Sequence, residues 1–212
     1  MNNYEYIIAS LPAISTDWKF TDKGPDQILE EILSLCSESD RKVIEVLLEG
    51  LSDEKLTRDF YIKAASHRNR FIREYFLFDM NVRNAKVKYL NTALGRPADK
   101  DIMDLPSGEF EEAARIEGIL SGSDILVRER AIDDLMWDKI SEITVFNYFD
   151  INAILAFIAK LHIVARWYKL DDASGREMFR RLVNEVRGTS RELNTTQTKP
   201  DSQYTKTIHK QK

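Results

Sequence analysis

Carboxylates at helical spacing are the clearest chemical signal in this chain. The string DDLMWD, residues 133–138, sets Asp134 and Asp138 at i and i+4, with Asp133 beside them. Two carboxylates on one helix face could hold a hard cation. The plainer reading of the same string is a solvated acidic helix face. The other polar groups offer less. His67, His162 and His209 lie far apart, and none stands in an HExxH or Glu-x-x-His pattern, so the ligand sets of zincins and di-iron bundles are missing. His162 falls within an apolar helix and reads as a satisfied core histidine, whereas His67 lies in a basic surface segment or helix junction. No phosphate-cradling G-x-x-x-x-G-K-[ST] or G-x-G-x-x-G loop occurs, and no G-x-S-x-G nucleophile elbow. The one cysteine, Cys36 in ILSLCSES, reads as a small apolar residue at a helix end; it leaves no intrachain disulfide and suits a reducing compartment.

The acidic string resembles the aspartate-rich magnesium–diphosphate motif of the all-helical prenyl-transferring enzymes. A second aspartate pair in the right context is lacking, since DDASGRE at 171–177 is loop-like, and the chain is short for that fold. A small Mg-dependent diphosphate-binding enzyme using Asp133, Asp134 and Asp138 therefore stays as an alternative. The main expectation is a chain with no catalytic residue, cofactor or resident metal.

Positioning elements are legible from the apolar periodicity. The 212 residues include only 8 Gly and 5 Pro, which leaves long uninterrupted helical segments and room for a full core. GPDQILEEILSLC opens with Pro25 at a first helical position and predicts a helix over 25–36. SESDRKVIEVLLEGL restarts with Ser37 or Ser39 as N-cap and stacks Val43, Val46, Leu47 and Leu51 inward. From Leu51 to Leu94 no Gly or Pro intervenes, so this is one long helix, or two joined near Ser66 to Asn69, stopped by Gly95 and Pro97. ADKDIMDLPSG reads as a loop, with Ser107 capping a helix whose Phe110, Ala113, Ala114 and Leu120 face inward. After SGSD at 121–124, a helix buries Ile125, Ile132, Leu135, Met136, Ile140 and Ile143. Asp150 then caps a nearly all-apolar helix, read as the centre of a bundle because Lys160 and Arg166 interrupt it as a membrane span. A last amphipathic helix uses Met178, Phe179, Leu182, Val183 and Val186, and ends at Gly188. The expected fold is thus all-α, a bundle of about seven helices: one domain over 1–187, with possible pseudo-repeats at about 1–97 and 107–187, and a disordered polar tail over 188–212.

Net charge is −4, which argues against nucleic acid as a partner. Residues 67–88 do interleave Arg and Lys with aromatics, but Phe71, Tyr75 and Phe78 recur at i, i+4 and i+7, a core stripe rather than a row of stacking platforms. The opening NYEYIIASLPAIS has no cation before Lys19 and too short an apolar stretch for a signal peptide, so it is expected in the folded body. Tyr4, Ile7, Ile8 and Leu11 suit a short helix ended by Pro12; an edge strand through Tyr4, Tyr6 and Ile8 is the alternative.

Two stretches carry a family resemblance. EYFLFDMNVRNAKVKYLNTALGRP resembles the signature of the C subunit of V/A-type rotary ATPases, called d in eukaryotes, with Asp79, Asn81, Val82, Arg83, Asn84, Leu94 and Gly95 supplying the pattern. ILAFIAKLHIVARWYKL is similar to a second copy through Ile154, Leu155, Ala156, Phe157 and Lys160, but Arg166 and Trp167 stand where that family has Asn. The opening YEYIIASLP resembles the start of an uncharacterised bacterial family encoded alongside V-type ATPase subunits. The resemblance implies a shortened, funnel-related helical protein without catalytic groups, in the central stalk between rotor shaft and membrane ring during ATP-linked ion transport. It would be cytoplasmic and peripheral on the inner face of the membrane, touching shaft and ring subunits without inserting into lipid. Arg68, Arg70 and Arg73, with Glu111 and Glu112 and the acidic face at Asp133 and Asp134, are then candidate docking charges. A helical adaptor unrelated to the ATPase is the rival reading.

Overall fold

The computed structural model describes residues 3–17, 20, 23–105 and 110–169. Among them it forms eight α-helices, one 3₁₀ turn and no strand. The helices are α1 Tyr4–Ser10, α2 Pro25–Leu35, α3 Glu38–Gly50, α4 Arg58–Ala65, α5 Arg70–Ala93, α6 Ala113–Leu120, α7 Ile125–Ile143 and α8 Ile151–Lys169, with the 3₁₀ turn at Asp53–Lys55 between α3 and α4. The chain divides after Tyr168 into two units, and the described residues fall in the first apart from Lys169. The expected cap Ser107, the helix ending near 187 and the tail 188–212 lie outside the described residues.

Local chemistry sets most boundaries. Pro25 stands at the start of α2, where its missing N–H costs nothing. Ser37, Thr57, Asn69 and Asp124 cap α3, α4, α5 and α7 by accepting backbone N–H bonds on their side chains, and Asp150 Oδ1 accepts from the amides of Asn152 and Ala153 at the head of α8. The opening is the helix rather than the strand: Ile7 is buried, and the Tyr4 hydroxyl donates to Asp40 at 2.9 Å. The run from 51 to 94 breaks twice. At the second break Asn69 caps α5, and Arg73 Nη1 donates to the carbonyls of His67 and Arg68 at 2.7 and 2.8 Å. Side-chain bonds to the backbone end α4 without any Gly or Pro.

Helix α5 is the axis of the packing, in contact with α3, α4, α6 and α7. Its Phe71, Ile72, Tyr75, Phe76, Phe78, Met80 and Val82 are buried. Phe76 meets Phe60 of α4 edge to face at 4.8 Å between centroids, an arrangement that suits the ring quadrupoles. The closest approach is at Gly50: a Cβ there would lie 2.2 Å from Phe76 Cζ and 2.4 Å from Phe60 Cζ. Helix α8 is long and apolar enough to cross a bilayer by length and composition, yet Ile154, Leu155, Ile158, Ala159, Leu161 and Val164 belong to the buried set. It is a core helix, as its interrupting charges lead one to expect.

Several inward faces are rotated from the expected ones. In α3, Ile44 and Leu47 carry the burial, and Val43 and Val46 are only half-buried. In α6, Ala113 and Ala114 are exposed, and Ile116 and Leu120 point inward. Ile125 begins α7 in solvent at 64% exposure. His162 is exposed on α8 rather than part of the core.

Candidate functional site

The acidic string does not converge. Asp133 is buried and faces α8, where its Oδ2 accepts from the Arg166 guanidinium and from Trp167 Nε1 at 2.5 Å. Asp134 lies 3.9 Å from Arg130 Nε, and Asp138 lies 3.8 Å from Arg115. Each carboxylate faces its own guanidinium, so a cation would have to displace three arginines to gather them. Among the described residues no three His, Cys, Asp or Glu side chains come together as a metal site requires. Asp133 is therefore not part of a solvated acidic face; it is the buried anchor between α7 and α8.

That anchor extends to the start of the chain. Arg130, one turn before Asp134 on α7, donates to the Thr16 carbonyl at 2.7 Å and to the Asp17 carboxylate. Its guanidinium also lies over the Trp167 ring, 5.2 Å from the centroid. Phe20 meets Tyr168 edge to face at 4.9 Å. Arg166 and Trp167 are thus the residues that bind Asp133.

Asp79 is the second hub. It accepts from the Tyr61 hydroxyl of α4 at 2.5 Å and from Arg83 Nε at 2.9 Å, while Arg83 Nη2 reaches Asp53 of the 3₁₀ turn at 3.0 Å. Four side chains thereby join α4, α5 and the turn between α3 and α4. Burial raises the Asp79 carboxyl above the usual carboxylate range, although Arg83 and Tyr61 pull it down. Burial and the adjacent Asp79 also raise the Tyr61 hydroxyl far above its ordinary value, so it stays a donor and is no base near neutral pH. Tyr61 lines a cleft of about 290 Å³ with Phe76, Met80 and Leu105. The cleft is mainly apolar, and its phenol is already committed to Asp79.

Polar groups along and just after α5 hold the loop that follows it. Asn84 closes a two-way pair with Met103, donating to its carbonyl at 3.0 Å and accepting from its amide at 2.8 Å. Asn91 donates to the carbonyls of Ala98 and Lys100. Gly95 has φ +65°, and the bonds Arg96 N to Asn91 O and Gly95 N to Thr92 O form a Schellman cap. Asn81 and Val82 are buried within α5.

The proposed docking charges separate. Arg73 is spent on backbone carbonyls at the α4–α5 junction, and Arg70 pairs with Glu74 on its own helix, while Arg68 is exposed. At the same junction His67 Nδ1 accepts the Asn69 amide; burial depresses its pKa, with Arg73 and Lys63 adding to the effect. Glu111 is exposed, and Glu112 is half-buried at the head of α6. Cys36 is buried, which raises its thiol pKa, so it is a packing residue at the end of α2. Sequence reading missed the cluster Val145, Phe146, Tyr148 and Phe149 between α7 and α8, which are 56%, 85%, 67% and 59% exposed. The signal was available: TVFNYFD has no helical period and falls between two helices.

A search of curated proteins and one of solved structures each gave no match. A family model described as "Protein of unknown function (DUF2764)" matches residues 98–190. That similarity takes in α6, α7 and α8 with Asp133, Arg166 and Trp167, and leaves the Asp79 hub and Gly95 outside it.

Proposed function

We propose that this chain is a non-catalytic central-stalk component of a V/A-type rotary ATPase, a shortened relative of the funnel-shaped stalk protein that couples the rotor shaft to the membrane ring. One observation carries the reading: the polar signature residues of α5 lock neighbouring elements together and do not line a reaction site. Asp79 and Arg83 hold α4 and the 3₁₀ turn, and Asn84 holds the loop at Met103. Torque transfer needs elements that move as one body, and the 24-residue α5 with its cross-links has that character. It needs no nucleophile, phosphate loop or metal. The protein would then sit at the inner face of the membrane, with Arg68 and Glu111 among its docking charges.

The test is a pull-down of the tagged full chain from native membranes. Co-purification of shaft and ring subunits supports the stalk role. Recovery of the chain with other partners while the ATPase stays intact would leave the helical adaptor as the better account.

A further inference from the structure

The aromatic loop between α7 and α8 is held out rigidly. Asn147 donates its side-chain amide to Asp150 Oδ2, Asn147 N donates to the Thr144 carbonyl at 2.9 Å, and Asp150 caps α8. Thr144 Oγ1 closes the other end on the Ile140 carbonyl at 2.7 Å. Within this frame Val145, Phe146, Tyr148 and Phe149 are all more than half exposed, and Phe146 reaches 85%. A fixed turn that presents three aromatics to water forgoes burial the core could supply, so the exposed patch calls for an occupant.

Charge identifies one. The loop adjoins the α4–α5 junction, since Asn69 Nδ2 donates to Asn152 Oδ1 at 2.7 Å. Residues 63–74 carry Lys63, Arg68, Arg70 and Arg73 against Glu74 alone, and residues 139–150 carry Lys139 against Glu142 and Asp150. Lys63 pairs with Glu49 at 2.7 Å, Arg70 with Glu74 and Lys139 with Glu142, which leaves Arg68 and Arg73 against Asp150 and a slight positive excess at this end of a chain whose net charge is −4. Phe and Tyr side chains beside arginines match the headgroup layer of a bilayer, where rings sit at the apolar boundary and cations meet phosphates.

We infer that the 145–149 loop, flanked by Arg68 and Arg70, seats this protein directly on an anionic lipid surface. The contact is shallow and interfacial, with no spanning helix involved, and it adds a lipid contact to an assignment that otherwise names protein partners only. It stands on the loop geometry and charge alone, so the stalk role and the lipid contact can fail separately.

The experiment is co-sedimentation of the full chain with vesicles of equal parts phosphatidylcholine and phosphatidylglycerol, against vesicles of phosphatidylcholine alone. The chain should pellet with the anionic vesicles, less with the neutral ones, and less again at high salt. Phe146→Ser with Phe149→Ser removes two half-seated rings and should weaken partitioning by roughly tenfold or more. Arg68→Gln with Arg70→Gln should reduce binding to anionic vesicles by several-fold and leave the neutral control unchanged. All four side chains are exposed, so helicity by circular dichroism should match the parent. Equal pelleting by the Phe variant, or no pelleting by the parent, overturns the inference. So does a photo-crosslinker at position 146 that labels protein rather than lipid in native membranes, which would make the patch a protein dock.

Discussion

Asp133→Ala tests the joint between α7 and α8. The Asp133 side chain is 7% exposed and its partner Arg166 is 44% exposed, so the two losses differ. Trp167 Nε1 loses its acceptor at 2.5 Å, and an indole N–H without a partner in a largely closed site costs about 1–3 kcal/mol. Arg166 can turn toward water, which limits its share to roughly 1 kcal/mol or less. Removing a buried charge returns part of its desolvation. The net expectation is a loss of about 1–3 kcal/mol, which for a chain of this length lowers Tm by roughly 2–12 °C. Asp133→Asn keeps an acceptor for Trp167 and should lose about half as much. Arg166→Ala leaves a buried carboxylate with only the indole, and the double variant should cost less than the two single changes added together. Urea unfolding followed by tryptophan fluorescence reads all four. A change under about 0.5 kcal/mol for Asp133→Ala would refute the anchor role. A Mg²⁺-dependent rise in Tm for the parent that vanishes in Asp133→Ala would instead revive the metal reading of the acidic string.

Two further outcomes follow from the packing. Gly50→Ala drives a methyl into Phe60 and Phe76, which are 3% and 1% exposed; overpacking of about 1–3 kcal/mol outweighs the gain of about 1 kcal/mol in helix propensity, because both rings are closed in and the added Cβ meets them well inside van der Waals contact. Urea unfolding should show a net destabilisation, and a stabilised variant would show that the two rings yield. Asp79 has a pKa raised from 3.8 by burial, so the folded chain binds its proton more readily than the unfolded chain. The stabilising contribution of that proton is complete below the unfolded value and is lost as pH rises through the raised one. Asp79→Asn should flatten this part of the stability profile from about pH 4 upward; an unchanged slope in the urea midpoints would remove Asp79 as its source.

Much of the helical frame was written locally. Pro25, Ser37 and Asp150 mark helix starts and Gly95 a stop because caps act within one turn, and the structure uses each as the spacing implies. Faces were less legible: in α3 the burial centres on Ile44 rather than on the Val43 and Val46 stripe, because which side of a helix is covered depends on where its neighbours stand. The α4–α5 break was visible only as an alternative, since no Gly or Pro marks it and Arg73 secures it through two carbonyls.

The chemistry of the carboxylates was outside the reach of spacing. DDLMWD fixes the i, i+4 relation of Asp134 and Asp138, and with it the idea of a shared cation. Packing then gives Arg166 and Trp167, more than thirty residues on, to Asp133, and Arg115 to Asp138. Helical periodicity is a short-range property that the sequence determines by itself: this chain is all-α, with these caps and these apolar runs. Whether a carboxylate is a ligand, a surface charge or a buried anchor depends on partners brought from distant positions. Only the tertiary structure decided that Asp133 and Asp79 hold helices together while the aromatics at 146–149 are left outside the core.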